Sequence, residues 1–134
     1  MTVLGAVSVS GWVAVMSVEA ATDGDVFLAY LEHVLCPQLK TGQLVVMDNL
    51  GAHKVDGVKE LIEQTGASLC YLPPYSPDFN PIEKCWAQMK QTLRRLKARS
   101  VVALQQALSD ALATLTSQNA ANYFHHCGYT LRLL

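Results

Sequence analysis

The pattern of apolar and polar residues along this 134-residue chain predicts a β-hairpin at its start, followed by a helix. The uncharged opening segment contains two β-rich runs, VLGAVSV and WVAVMSV, joined at Ser10-Gly11. Serine and glycine interrupt it, so a hairpin is favoured over a membrane span. Apolar residues then recur at helical spacing from Val26 to Leu35, until Pro37 stops the pattern.

The rest of the chain alternates short apolar runs with amphipathic segments. The run at 44–47 is wholly apolar, as in a buried parallel strand. Asn80 is a good N-cap and Pro81 a good first residue for the strongest helix. This order predicts a mixed α/β layer fold in a single domain, residues 1–134. The predicted elements after the first helix are strands at 44–47 and 68–72, and helices at 56–64, 81–96, 101–115 and 119–126.

Composition excludes a disordered chain, since 51% of the residues are hydrophobic and only 16% are charged. The formal net charge is −1, which gives no hint of a nucleic-acid partner. The distribution of charge does give one, because six of the ten basic residues lie close together with no acid among them. They are either a solvated helix face or a phosphate-binding surface. These residues are Lys84, Lys90, Arg94, Arg95, Lys97 and Arg99.

Four cysteines are widely spaced, without a C-x-x-C pair or a secretory signal. This pattern favours reduced thiols in a cytoplasmic protein over a disulfide framework or a zinc site.

Asp48 ends the apolar run at 44–47 within the segment VVMDNLGAHK. An aspartate in this position can start an Asx turn, which is a purely structural role. Functional sites of α/β sheets, however, lie beyond the carboxyl ends of strands. The preceding strand would also hold Asp48 rigidly, as catalysis requires.

Glu83 follows a proline-rich loop within the segment YLPPYSPDFNPIEKCW. Counted from Asn80, it occupies the acidic position of a capping box and could serve the helix start alone. It also stands first in a series at helical spacing, followed by Ala87, Lys90 and Arg94. An acidic side chain at the start of the helix, followed on the same face by two basic side chains, suits a metal ligand next to a surface that contacts DNA phosphates.

Asp48 and Glu83 are thus two carboxylates on rigid elements, with 34 residues between them. If those elements lie side by side, the acids form half of an oxygen-rich site for hard divalent cations, suited to phosphoryl transfer on nucleic acid. His53 and Lys54 either contact a phosphate or cap the turn after Asp48. Tyr75, in the proline-rich loop, is the better candidate for stacking on a base.

The two acidic segments closely resemble the second and third acidic motifs of DDE transposases, specifically the bacterial insertion-sequence relatives of the Tc/mariner group. A strand ending in Asp-Asn, then PPYSPxxNPIE, then an aromatic and a basic helix occur in the family's order and spacing. The opening hairpin and the closing NYFHHCGY segment are similar to that family too.

The resemblance implies an RNase H-like catalytic core that binds Mg²⁺ or Mn²⁺ and cuts and joins DNA ends. Asp48 and Glu83 would be metal ligands, and the basic helix would hold the phosphate backbone. The expected partners are double-stranded DNA, both transposon ends and target, a separately encoded N-terminal half and further copies of the chain. No membrane partner is expected.

One departure from the family concerns its first catalytic aspartate, which lies on a central strand before the hairpin. This sequence begins with the hairpin, and the early acids Glu19, Asp23 and Asp25 follow it. The sheet is therefore expected to lack its first, central strand, and the chain to be inactive by itself. A non-catalytic DNA-binding or assembly module, or another RNase H-like nuclease, remains an alternative.

Overall fold

The computed structural model divides into two compact units, which we describe separately. The first unit comprises Met1–Ala6 and Val13–Asn80, and the second comprises Val7–Trp12 and Pro81–Leu134. The predicted single catalytic domain stays a prediction. The structure describes residues 2–21, 23–74 and 76–129.

The chain opens with the predicted hairpin. Strands β1 (Thr2–Ser8) and β2 (Gly11–Val18) pair across a two-residue connection. Gly11 has φ +128°, a conformation that side-chain-bearing residues rarely adopt and that the turn requires. The hairpin prediction is therefore confirmed. Within the part of the chain that the structure describes, we find no helix with the length and apolarity needed to cross a bilayer.

The first helix lies where it was predicted, but its hydrogen-bonding pattern changes along its length. Helix α1 (Gly24–Tyr30) is capped by Asp23, whose carboxylate accepts a hydrogen bond from the Val26 N–H at 2.9 Å. The chain then continues as a π-helix over Leu31–Leu35 and a 3₁₀ turn over Cys36–Gln38. Pro37 lacks an N–H and its ring excludes the carbonyl one turn back, so regular α-helical bonding cannot continue through this end.

Two parallel strands carry the apolar runs of the first unit. Strand β3 (Leu44–Met47) pairs with β4 (Ser68–Tyr71), and Met47 lies opposite Tyr71. Helix α2 (Val58–Glu63) forms the crossover between them. The run at 44–47 is less buried than predicted, since Leu44 is 61% exposed and only Met47 is buried.

In the described residues, strand pairing is confined to two separate two-stranded sheets, β1 with β2 and β3 with β4. These short sheets are consistent with the expected lack of a central strand.

The core of the first unit lies between the helices and both pairs of strands. Tyr30 is buried in it, and its hydroxyl donates to the Ala14 carbonyl at 2.7 Å, which ties α1 to the hairpin. Burial raises the pKa of the Tyr30 phenol, so the hydroxyl stays a donor. The buried members of this core are Phe27, Tyr30, Leu31, Leu35, Met47, Val58, Ile62 and Ala67.

The second unit contains three helices, α3 (Ile82–Leu96), α4 (Val101–Ala113) and α5 (Ser117–His126). Ser100 caps α4, and Thr116 forms a capping box with Asn119 at the start of α5. Because of this box, α5 is longer than the predicted segment at 119–126. All three predicted helices are present.

A polar network joins the helices of the second unit. The Gln88 side-chain amide donates to the Thr114 carbonyl at 3.0 Å, and its oxygen accepts from the Tyr123 hydroxyl at 2.7 Å. Trp12 and Trp86 pack with ring centroids 4.5 Å apart. The two tryptophans therefore contact each other, which supports a packing role over base stacking.

Candidate functional site

Asp48 lies directly after β3 and is held at two points. Its Oδ1 accepts a hydrogen bond from the Asn80 side-chain amide at 2.8 Å. Its backbone carbonyl faces His53 Nδ1 at 3.1 Å. The half-buried carboxylate is thus fixed both through the main chain and through one of its own oxygens.

Asn80 was predicted as the N-cap of the strongest helix, and the structure corrects this assignment. Helix α3 begins at Ile82, with Pro81 in the cap position, and the side-chain amide of Asn80 donates to Asp48. Sequence reasoning missed this pairing because an asparagine before Pro predicts a local cap, whereas Asp48 is 32 residues away. Glu83 accordingly lies one position closer to the start of the helix than predicted.

The segment after Asp48 forms a 3₁₀ turn over Gly51–Lys54 that packs against α1 within the first unit. The His53 ring lies 4.6 Å from the Phe27 ring, and the Tyr71 hydroxyl donates to the His53 carbonyl. Burial raises the pKa of Tyr71, which keeps this donor protonated. Since His53 Nδ1 faces Asp48, only Nε2 is left to reach a phosphate.

Lys54 is exposed, and its Nζ lies 5.8 Å from the centre of the Tyr71 ring. This is the range of a weak cation–π contact, which leaves the ammonium in water. Tyr75, the predicted base-stacking residue, lies outside the described residues.

Asn49 contributes an unusual polar atom beside Asp48. Its side-chain Oδ1 is buried and has no hydrogen-bond partner among the described residues. Buried polar oxygens without partners are rare, because the lost hydration costs about 1–3 kcal/mol. A cation would satisfy such an oxygen, so this atom fits a metal-binding role of the Asp48 region.

Glu83 lies in the second unit, in the first turn of α3. All four residues of the predicted stripe, Glu83, Ala87, Lys90 and Arg94, are exposed. Glu83 and Arg94, at its ends, are eleven residue steps apart along the helix, a rise of about 16 Å. The structure therefore confirms that an acid and two cations share one solvent-facing side of this helix.

The other basic residues of the cluster lie on or just after the same helix. Lys84 is half-buried, whereas Arg95, Lys97 and Arg99 are exposed. Lys97 ends α3 in the left-handed conformation with φ +51°. None of the six basic residues pairs with an acid in a salt bridge among the described residues.

Metal binding at this site would rest on carboxylate and amide oxygens, the donor set that hard divalent cations prefer. Asp48 belongs to the first unit and Glu83 to the second, so their binding of one shared cation stays a prediction. Within the described part of the chain, no three His, Cys, Asp or Glu side chains cluster closely enough to form a metal site.

Comparison with solved structures identifies the fold. The chain is similar to the crystal structure of the catalytic domain of Mos1 mariner transposase, with a TM-score of 0.74 and 15% sequence identity. The match covers 93% of this chain and 67% of that one. This likeness confirms the predicted α/β, RNase H-like fold. A search of curated proteins finds no match to the chain.

Comparison with protein families covers most of the sequence, including β1 to α3 and the start of α4. The sequence model of the family described as DDE superfamily endonuclease matches residues 1–105. That region contains both Asp48 and Glu83 and every basic residue of the α3 cluster. The protein therefore belongs to the DDE superfamily endonuclease family.

Proposed function

We propose that this chain is the catalytic part of a transposase that cuts and joins DNA during cut-and-paste transposition of a bacterial insertion sequence. The single observation that carries the proposal is the Asp48 carboxylate, held by Asn80 at the end of a parallel strand in a chain of the DDE superfamily endonuclease family. A carboxylate fixed in this way is preorganised for metal-dependent phosphoryl transfer.

In this proposal, Asp48 and Glu83 are the catalytic ligands of Mg²⁺ or Mn²⁺. The bound cations would supply the charge that activates a water or a DNA 3′-hydroxyl and stabilises the leaving oxygen. The chain's own contribution is to hold its carboxylates in place. Asp48 is fixed by Asn80 and His53, and Glu83 is carried by a fifteen-residue helix.

Double-stranded DNA is the proposed partner of the second unit. The exposed side of α3 carries Lys90 and Arg94, which would contact successive phosphates without reading the sequence. Contacts of this kind position a duplex relative to Glu83 at the head of the helix. Lys84, Arg95, Lys97 and Arg99 would extend this surface, and His53, Lys54 and Tyr75 would contribute contacts from the first unit. The place of action would be the bacterial nucleoid within the cytoplasm.

Two carboxylates hold a pair of cations weakly, so we propose that residues 1–134 have little cleavage activity by themselves. The third carboxylate and the central strand would come from residues N-terminal to this segment, on the same or on a separately encoded polypeptide. None of the early acids is proposed for this role, since all of them follow the hairpin, and Asp23 is engaged as the cap of α1.

The test is nicking of a supercoiled plasmid that carries the element's own ends, in Mg²⁺ or Mn²⁺. The chain is assayed alone and with the polypeptide encoded immediately upstream of Met1. We expect little nicking by the chain alone and metal-dependent nicking by the pair. Asp48→Asn should lower the latter by at least about a hundredfold, as loss of one main electrostatic group does.

The matched control is Asp110→Asn, which removes an exposed acid of α4 whose carboxylate accepts a hydrogen bond from Gln106. This variant should nick at the wild-type rate. Robust cleavage that survives Asp48→Asn would contradict the proposal.

A second candidate is a non-catalytic DNA-binding or assembly module of the same fold. It is favoured by one observation, that the described residues bring no three metal-binding side chains together while the basic helix is fully formed. Salt-sensitive DNA binding that is unchanged by Mg²⁺, without nicking under any condition, would support this candidate over the first.

A further inference from the structure

We propose that Asn80 is a positioning residue that fixes the orientation of the Asp48 carboxylate and leaves Oδ2 to face a cation. The inference rests on the proposed function, because it assigns a role to Asn80 within the same metal site. It adds Asn80 to the residues of the proposed metal site, although the sequence context of Asn80 indicated only helix capping.

The geometry of the contact is that of a strong hydrogen bond. The Asn80 Nδ2 lies 2.8 Å from Asp48 Oδ1, within the range of charge-assisted bonds. Asn80 is 8% exposed, so water has little access to replace the amide. The donor is therefore present whether or not a cation is bound.

The bond removes one degree of freedom that matters for metal binding. A carboxylate can turn about its last torsion, which is broad and offers a cation either oxygen or both. With Oδ1 engaged by an amide, Oδ2 becomes the oxygen with a free lone pair in a defined direction. Groups that orient a metal ligand in this way usually contribute about ten- to a hundredfold to metal affinity.

The position of Asn80 in the chain adds to this role. The His53 contact fixes the backbone of Asp48, so the amide of Asn80 is the second and complementary restraint on the residue. Asn80 also lies three residues before Glu83 in the sequence. The residue that orients one proposed ligand thus leads directly into the helix that carries the other.

The experiment measures Mn²⁺ affinity of the full 134-residue chain by isothermal titration calorimetry. Asn80→Leu keeps the approximate shape of the side chain and removes its donor. We expect this variant to bind Mn²⁺ roughly tenfold more weakly than wild type. Asp48→Asn should bind more weakly still, and the double variant should match Asp48→Asn alone, because residues acting through one another are not additive.

A matched control is Asn119→Ala, which removes another hydrogen-bonding asparagine, from the capping box of α5. It should lower the melting temperature without changing Mn²⁺ affinity. A second measurement needs no metal: the side-chain amide resonances of Asn80 should shift in Asp48→Asn and remain in place in Asn119→Ala.

The outcomes separate the two proposals. Absence of Mn²⁺ binding by the wild-type chain would count against the two-carboxylate site and thus the proposed function. Wild-type binding with Asn80→Leu unchanged, or amide resonances insensitive to Asp48→Asn, would overturn the role of Asn80 and leave the proposed function standing.

Discussion

At the scale of single residues, Asp48 shows how one side chain acquires a defined orientation. Its position after a strand follows from the apolar run before it, and any polar residue there would sit at the edge of the sheet. The Asn80 amide, 32 residues away, orients its side chain, and the His53 ring, five residues away, contacts its main-chain carbonyl.

Cys85 provides a prediction at the same scale. The thiol is 1% exposed, and burial, together with the nearby Cys127 thiol, raises its pKa from 9.0 to about 11. Folding therefore favours the protonated form. The buried, protonated thiol contributes fully to the free energy of unfolding below pH 9. This contribution is lost as the pH rises towards 11, at up to about 1.4 kcal/mol per pH unit.

The measurement is urea unfolding across this alkaline range, followed by tryptophan fluorescence. Both tryptophans, Trp12 and Trp86, belong to the second unit, as does Cys85, so the signal reports the same unit. Cys85→Ala should be less stable at neutral pH yet lose less stability per pH unit. Equal slopes in the two proteins would contradict the expected linkage.

At the scale of elements, the sequence pattern predicted three structural features of helix α3. Its buried side contains Cys85 and Met89, its exposed side carries the acidic and basic stripe, and it ends at Lys97. The stripe was predictable because helical periodicity alone decides which residues share a side. The start of the helix was predicted one residue too early, at Pro81 rather than Ile82, because the residue types at 80 and 81 suit the N-cap and the first helical position.

The end of α3 gives a prediction of its own. Lys97 adopts the left-handed conformation with φ +51°, which glycine reaches at no steric cost. We expect Lys97→Gly to stabilise the second unit by about 1 kcal/mol, since the relief of strain exceeds the entropy cost of glycine.

Arg99→Gly is the matched control, because it also replaces an exposed basic residue with glycine but at a position of negative φ. That variant should be neutral or destabilised. Urea unfolding followed by tryptophan fluorescence compares the two. A loss of stability in Lys97→Gly equal to that in Arg99→Gly would show that the conformation of residue 97 carries no strain.

At the scale of the whole molecule, the formal net charge of −1 hides a strong asymmetry. The first unit has three basic and nine acidic residues, a charge of −6, and the second has seven basic and two acidic residues, a charge of +5. A polyanion is attracted by the second unit and repelled by the first. The net charge of the whole chain therefore does not indicate which surface would bind DNA.

This asymmetry predicts where charge changes will affect DNA binding. Replacing both Arg94 and Arg95 by Gln should weaken binding to every duplex tested and make the plot of log affinity against log salt shallower by about 2. Replacing both Lys40 and Lys59 by Gln changes the net charge equally but in the first unit. We expect this control to leave the slope unchanged.

Fluorescence anisotropy over a salt series, with duplexes of unrelated sequence, measures both slopes. The DNA-binding assignment of α3 would fail if the two double variants behaved alike. A loss of binding confined to one duplex sequence would also contradict it, because phosphate contacts carry no base information.

The sequence by itself determined the order of the elements, the two motif acids and the basic side of α3, because periodicity and residue chemistry are local properties of the chain. The tertiary structure decided the partners of these groups: Asn80 with Asp48, His53 against Phe27, and Tyr30 with the Ala14 carbonyl. It also decided that the chain continues as a π-helix after Tyr30 and that Leu44 is exposed. Such pairings depend on which segments pack together, and the local sequence around Asn80 does not show that its amide NH2 would reach a carboxylate 32 residues away.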